Sequence, residues 1–438
     1  MHEPTTISKP GQGRLHDLTL REKRALLVGT FQGATQKRQC EDQLLELESL
    51  GRTFGLETAM KLPCPLREVD SATYIGKGKV EEIAAIPEID VVVFDDEISP
   101  QQQRNLEKAL KKTVIDRTEL ILGIFAQRAH TREARIQVEL AESRYQLPRL
   151  TRLWTHLSRQ RTGGGGKGGF LKGEGEKQIE IDRRILKKKI SQLQKELIEV
   201  KKHRDTQRRA RQRAGVPTFA IIGYTNVGKS TLLRALTDAD VLVEDKLFAT
   251  LDTTTRKFVL PNRQEILLID TVGFIRKLPH PLVAAFKSTL EEAVQADILL
   301  HLVDVSNPQA GFQSLTTFDV LKELHAEKHP MITVLNKIDQ CESRLMVEKM
   351  RVTYPKTVEI SALKKEGFDR LLGLMTQEIA LLRKTVHLRV PQSHYALVSE
   401  MLREGKILAI EYEENDILLE VEIPRNLEKK VALFEVST

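Results

Sequence analysis

Gly223-Tyr224-Thr225-Asn226-Val227-Gly228-Lys229-Ser230 has the spacing G-x-x-x-x-G-K-[ST], the pattern of a phosphate-binding loop. Its flanks agree with that reading. Phe219-Ala220-Ile221-Ile222 is a short apolar run suited to a buried strand, and Thr231-Leu232-Leu233-Arg234-Ala235-Leu236 reads as helix. Such a loop turns backbone N–H groups and a helix N-terminus toward phosphate oxygens. Lys229 would reach the β- and γ-phosphates, and Ser230 would hold Mg²⁺. A glycine turn that merely contains Lys-Ser would not bring the strand and the helix with it.

Downstream, Asp270-Thr271-Val272-Gly273 closes the apolar run Ile266-Leu267-Leu268-Ile269, giving D-x-x-G at a strand end. Asp270 can reach the metal through water, and Gly273 lets its backbone approach the γ-phosphate and flip when that phosphate leaves. Asn336-Lys337-Ile338-Asp339 follows the strand Met331 to Leu335. This N-K-x-D carries base choice: a carboxylate accepts from the guanine N1–H and exocyclic amine, and adenine has no matching donor pair. Ser361-Ala362-Leu363, after Val358-Glu359-Ile360, would offer backbone N–H groups to the guanine carbonyl. Each tetrapeptide alone is weak. Together, in order and each at the end of an apolar run, they predict a Ras-like GTP-binding domain over 217–384; a P-loop ATPase or small-molecule kinase leaves N-K-x-D unexplained.

A switch threonine is also needed to close over Mg²⁺ and the γ-phosphate. The stretch Leu247-Phe248-Ala249-Thr250-Leu251-Asp252-Thr253-Thr254-Thr255-Arg256 offers four, and spacing does not choose among them. After D-x-x-G many GTPases carry a Gln that orients the attacking water. Here the position is Phe274. An apolar ring cannot do that work, so slow intrinsic hydrolysis and a partner that completes the site are expected.

Upstream lies an uneven charge. Between Thr131 and Val216 there are 23 Lys+Arg against 10 Asp+Glu, a local balance of +13; the whole chain is +7, so the remainder is −6. One region therefore carries all the excess positive charge, as expected for a polyanion partner; a solvated helix face is the alternative. Two heptad seams run through it. Ile136, Leu140, Ser143, Leu147, Leu150, Trp154 and Leu157 form one, and Ile179, Leu186, Ile190, Leu193, Leu197 and Val200 the other. They predict an antiparallel helical hairpin over 131–216, with Pro148 kinking or dividing the first helix. The tip, Thr162 to Gly175, holds eight glycines with Lys167, Lys172 and Phe170. It suits a backbone that moulds to RNA phosphates with a ring for stacking. The second helix runs into a basic stretch, Lys201 to Arg213, and Gly215-Val216-Pro217 ends it.

Residues 1–24 are polar, and no apolar core marks a secretory signal. From Ala25, strand-like runs alternate with helix-like ones, ending in Ile89–Phe94, Pro100–Lys111 and Thr113–Asp116, so 25–130 reads as a small parallel α/β domain. Tyr74-Ile75-Gly76-Lys77-Gly78-Lys79 misses both phosphate-loop and dinucleotide spacing, which leaves a second nucleotide site or a turn with a surface charge pair. Residues 385–438 read as a small α+β docking module with a hairpin turn at Asn415-Asp416. Cys40, Cys64 and Cys341 are scattered, no apolar run approaches ~20 residues, and a reduced cytoplasm is the expected compartment, with a membrane-associated fraction as a second expectation.

The chain resembles the HflX family of translational GTPases over nearly its whole length. The features that carry this are Tyr74–Lys79 with Val80-Glu81-Glu82, the Gly163–Gly175 loop, Phe248-Ala249-Thr250-Leu251-Asp252 and Asp270-Thr271-Val272-Gly273-Phe274. The resemblance implies Thr250 as the switch I magnesium ligand beside Ser230, and Phe248–Asp252 as a second contact segment around the nucleotide. Thr253 stands where relatives often have Pro, a minor departure. It further implies a protein that binds the large ribosomal subunit, is stimulated by it, and can split stalled ribosomes with the glycine-rich tip reaching toward the peptidyl-transferase region; a monomer is expected. Lys229, Thr250 and Gly273 would then be the residues closest to the chemistry. Two other readings stay open: a GTP-gated large-subunit assembly or anti-association factor, and ATP-dependent rRNA remodelling through the N-terminal domain.

Overall fold

The computed structural model describes residues 23–150, 172–213, 216–237, 246–277, 295–341, 343–413, 415–424 and 427–436. They fall into two compact units. The first holds the chain up to Val200 together with 246–252 and Lys277. The second holds the remainder.

The first unit opens with β1 (Arg24–Phe31), α1 (Gly33–Phe54), β2 (Glu57–Pro65), α2 (Lys77–Ala85), β3 (Val91–Phe94), α3 (Pro100–Leu110), β4 (Thr113–Asp116) and α4 (Arg117–Arg128). The strands pair in parallel in the order β2-β1-β3-β4, the small α/β domain expected. Val91-Val92-Val93-Phe94 is buried throughout, as a central parallel strand covered on both faces should be. α3 starts with a capping box between Ser99 and Gln102 and Pro100 in its first turn. α1 stops at Gly55, whose φ of 103° allows its N–H to return to the last turn. At Tyr74–Lys79 the chain enters α2, and both lysines take partners on that helix: Lys77 with Glu81 (3.9 Å) and Lys79 with Glu82 (2.6 Å). The surface charge pair is the reading this geometry favours.

α5 (Arg132–Gln146) and α6 (Lys172–Arg213) build the hairpin. Ile136, Leu140 and Leu193 are its buried seam, with Ile190, Leu197 and Val200 packed against them. Glu139 pairs with Lys189 (2.7 Å) and Arg132 with Glu196 (3.9 Å), so the helices run antiparallel. Pro148 does divide the first pattern: α5 ends at Gln146 and a 3-10 turn covers Leu147–Arg149. The tip differs from expectation. Lys172-Gly173-Glu174-Gly175 belongs to α6 and not to the loop. Each glycine costs about 1 kcal/mol in a helix, so the glycines alone do not predict this start. Gly163 to Leu171, with Lys167 and Phe170, lies outside the described residues.

The second unit contains β5 (Thr218–Gly223), α7 (Lys229–Thr237), β6 (Thr254–Val259), β7 (Glu265–Asp270), β8 (Ile298–Asp304), α8 (Ala310–Glu323), β9 (Met331–Asn336), α9 (Leu345–Thr353), β10 (Thr357–Glu359) and α10 (Phe368–Leu381). Their sheet runs β10-β9-β8-β5-β7-β6, parallel except for β6 against β7. A smaller antiparallel sheet follows, β11 (Arg383–Pro391), β12 (Lys406–Tyr412) and β13 (Asp416–Pro424) in the order β11-β13-β12, with α11 (Tyr395–Glu404) packed on it. This is the α+β module expected, beginning at Arg383 and not at residue 385.

Candidate nucleotide site

Register places the expected motifs at one sheet edge. Gly223 ends β5, Asp270 ends β7 and Asn336 ends β9, and Asp304, which no motif flagged, ends β8 between them. The C-terminal edge of a parallel sheet is where open α/β folds bind ligands.

The glycines of the loop are required by space. Gly223 has φ 148°, and a Cβ there would stand 2.4 Å from the Leu302 carbonyl oxygen; Gly228 has φ 94°, with Asn336 Nδ2 at 2.5 Å from a Cβ. Lys229 is buried and donates to the carbonyls of Gly223 (3.2 Å) and Tyr224 (2.7 Å). Burial pushes its pKa down to about 8, against the pull of Asp270. Ser230 donates its hydroxyl to Asp270 Oδ2 at 2.7 Å, and Asp270 is fully buried. A hydroxyl and one carboxylate, beside a place for phosphate oxygens, is the hard donor set that suits Mg²⁺. Among the described residues no cluster of three or more His, Cys, Asp or Glu could hold a metal by itself.

Asp270-Thr271-Val272-Gly273 is fixed at both ends. Thr271 donates to the Ile221 carbonyl at 2.7 Å. Phe274 N–H donates to Gly223 O (3.1 Å) and Thr225 N–H to Phe274 O (2.8 Å), so Phe274 bridges to Tyr224 as a continuation of the sheet. Its ring is buried among Ala220, Ile222 and Leu299. No polar group reaches the site from this position. A Cβ on Gly273 would lie 2.8 Å from Thr225 Cα and 2.9 Å from Lys229 Nζ, which excludes any larger residue.

At the base-reading end, Asn336 is buried, donates from Nδ2 to the Val227 carbonyl (2.8 Å) and accepts the Ala362 N–H on Oδ1 (3.0 Å). The side chain expected to read guanine therefore braces two loops. Ala362 N–H is already engaged, so a base carbonyl there would share that donor, and Ser361 N–H donates to Glu366 O at 3.1 Å. Lys337, at φ 64°, sets its ammonium 2.8 Å from Asp304 Oδ2. Asp304 was missed in the sequence, although an Asp closing a run as apolar as Ile298–Asp304 is itself a signal.

The remaining segment belongs to the first unit. Phe248 (φ 55°) is buried edge to face on Phe125 of α4 at 4.6 Å, and the Asp252 carboxylate accepts from His130 and Thr131. Residues 246–252, with Ala249, Thr250 and Leu251, thus belong to the first unit, whereas Gly223–Ser230, Asp270–Gly273, Asn336–Asp339 and Ser361–Leu363 share the second.

A phosphate loop, D-x-x-G and N-K-x-D at one edge of such a sheet define a P-loop GTPase. Three family models tile the chain: "GTP-binding GTPase N-terminal" over 41–126, "GTP-binding GTPase Middle Region" over 128–211 and "50S ribosome-binding GTPase" over 218–337. GTPase HflX of Chlamydia pneumoniae is 48% identical over 446 residues, covering 98% of this chain and 94% of the relative; that of Escherichia coli K12 is 41% identical, covering 92% and 94%. The chain belongs to the HflX family of GTPases, and it is an enzyme that hydrolyses GTP. A solved GTP-binding protein from Sulfolobus solfataricus, in complex with GDP, is 25% identical with a TM-score of 0.43, over 82% of this chain and 99% of that one. Among the described residues no helix is long and apolar enough to cross a membrane.

Proposed function

We propose that this Mg²⁺-dependent GTPase binds the large ribosomal subunit in the cytoplasm as a monomer, is stimulated by it, and splits or rescues stalled ribosomes. The observation that carries the reading is Phe274. Its ring lies in the core where a water-orienting side chain would stand, so the site needs a group from outside. The match of 218–337 to the "50S ribosome-binding GTPase" model and the +13 balance of 131–216 favour a ribosomal source.

Lys229 stabilises charge on the β- and γ-phosphates. Ser230 and Thr250 are the proposed metal ligands, with Asp270 acting through water; the ion would supply charge neutralisation between the phosphates. Gly273 offers its N–H to the γ-phosphate. Asn336 and Asp339 choose guanine, and Asn336 also holds the loops that surround the base. The segments Gly223–Ser230, Phe248–Asp252, Asp270–Gly273, Asn336–Asp339 and Ser361–Leu363 form the proposed nucleotide contacts. No side chain is assigned as general base.

Adding the protein and GTP to intact ribosomes and running a sucrose gradient tests the role. Dissociation into subunits supports splitting. Binding to free subunits alone favours the assembly or anti-association reading. For ATP-driven remodelling through the N-terminal domain, the test is substitution of Lys77 and Lys79, which pair with Glu81 and Glu82 on their own helix; RNA remodelling lost in that variant but kept when Gly228 and Lys229 are altered favours that reading.

A further inference from the structure

Asp252 closes the start of the basic hairpin. Its Oδ2 accepts the N–H of His130 and of Thr131, each at 3.2 Å, and its Oδ1 accepts the Thr131 hydroxyl. The same hydroxyl oxygen accepts the Ala134 N–H at 3.1 Å and so caps α5. The start of a helix leaves N–H groups without intrahelical partners and carries partial positive charge, so an anion is favoured there. What is unusual is where the anion comes from: it lies 121 residues along the chain from Thr131 and two beyond Thr250. The segment has little slack. Phe248 is buried on Phe125 at one end, and β6 begins at Thr254 at the other. A second tie of the same kind lies four residues past Gly273, where Lys277 gives its ammonium to Asp95 (3.3 Å) and to Asp96, directly after β3.

We infer that Asp252 and Thr131 form a joint that passes nucleotide state from switch I to the first helix of the hairpin, both acting as positioning residues. The inference rests on reading Phe248–Asp252 as switch I. Switch segments are ordered by the γ-phosphate and its metal and released on hydrolysis. When Thr250 is held, Asp252 is held with it, and the His130 and Thr131 N–H groups stay bonded. When Thr250 is released, the joint opens more often and α5 loses the charge at its start. The hairpin thereby senses which nucleotide is bound through an element whose two arrangements both sites bias, which is the physical requirement for coupling.

Hydrogen exchange on the full-length protein, with GDP or with a non-hydrolysable GTP analogue, tests the joint. Peptides covering 247–252 and 129–135 should both exchange about tenfold more slowly with the analogue, the scale set by a hydrogen bond to a carboxylate. Thr131→Val should abolish the difference at 129–135, keep it at 247–252 and leave GDP affinity unchanged; Thr131→Ser should restore it. Because the valine also removes the α5 cap, Asp252→Ala is the second variant; measured at saturating nucleotide, since Asp252 lies in a proposed nucleotide contact, it leaves the Thr131–Ala134 bond intact and should abolish the difference at 129–135 while keeping it at 247–252. A difference at 129–135 that survives in Asp252→Ala overturns the joint. A response at 247–252 with none at 129–135 in the unaltered protein overturns the joint and leaves the switch reading standing. No response at either overturns both.

Discussion

The Asn336 side chain spans the Val227 carbonyl at 2.8 Å and the Ala362 N–H at 3.0 Å, tying the phosphate loop to the loop after β10 from the end of β9. A residue placed this way supports the bound nucleotide by bracing the loops around it. Asn336→Ala should lower the unfolding free energy by about 2–3 kcal/mol, the cost of stranding two buried partners, and weaken binding of GDP. Asp339→Ala should leave stability unchanged and weaken GDP by about 10²-fold, as expected for a lost bidentate charged contact. Calorimetric unfolding and nucleotide titration check both.

Lys229 gives a pH dependence. Its ammonium must be charged to attract phosphate, and its ligand-free pKa is about 8. Below that value the residue is already protonated, and affinity should be flat. Above it binding must take up a proton, so GDP affinity should fall by up to tenfold per pH unit. Lys229→Ala should bind weakly with no such slope. A GDP titration series from pH 6.5 to 9.5 reads this directly.

Asp116 and Arg149 anchor the base of the hairpin. Arg149 donates to the Ile98 carbonyl (2.8 Å) and to Asp116 Oδ2 (3.3 Å), and Tyr145 donates to Asp116 Oδ1 (3.0 Å). Both charged groups are buried. Arg149→Leu strands a buried carboxylate and should cost about 3–5 kcal/mol; adding Asp116→Asn should restore much of it. Burial raises the Asp116 pKa to about 6 even with Arg149 present. The folded state therefore holds this proton more tightly than the unfolded chain between the ordinary carboxylate value and 6, and lowering the pH through that window stabilises. The single variant should lose less at pH 5 than at pH 7.5, measured by urea unfolding.

His301 is fully buried with neither ring nitrogen hydrogen-bonded, between Phe318 and Tyr354 at 5.1 and 5.7 Å. Burial lowers its pKa to about 3. Unfolding lets the ring take a proton below about pH 6.5, so the residue costs stability as pH falls from 6.5 toward 3, by about 1.4 kcal/mol per unit. His301→Leu removes two unsatisfied nitrogens from the core and should raise the melting temperature. Its advantage should grow between pH 7.5 and pH 5 in parallel thermal scans.

Much of this fold is legible in the chain, for identifiable reasons. Gly223, Asp270 and Asn336 announce themselves because each closes a β-branched or apolar run, and the sheet then brings those ends together. The hairpin is legible because Ile136, Leu140, Leu193 and Leu197 keep a heptad period. α4 is not. Thr118 to Phe125 are buried in succession, so the helix shows no polar face and hence no period to read. The first turns of α1 are hidden for the opposite reason: 35–39 are exposed and polar. The bracing contact of Asn336 and the contact of Asp252 with Thr131 are not legible either. Each depends on a partner more than 100 residues away, and pattern along the chain carries no information about such pairs.

The central claim is that Phe274 leaves the site incomplete and that the large subunit completes it. Single-turnover GTP hydrolysis, with and without purified large subunits, tests it most directly. The protein alone should turn over well below about 1 s⁻¹, and subunits should raise the rate by about 10³–10⁵-fold. Hydrolysis above about 1 s⁻¹ by the protein alone, or a rate that large subunits leave unchanged, would contradict it.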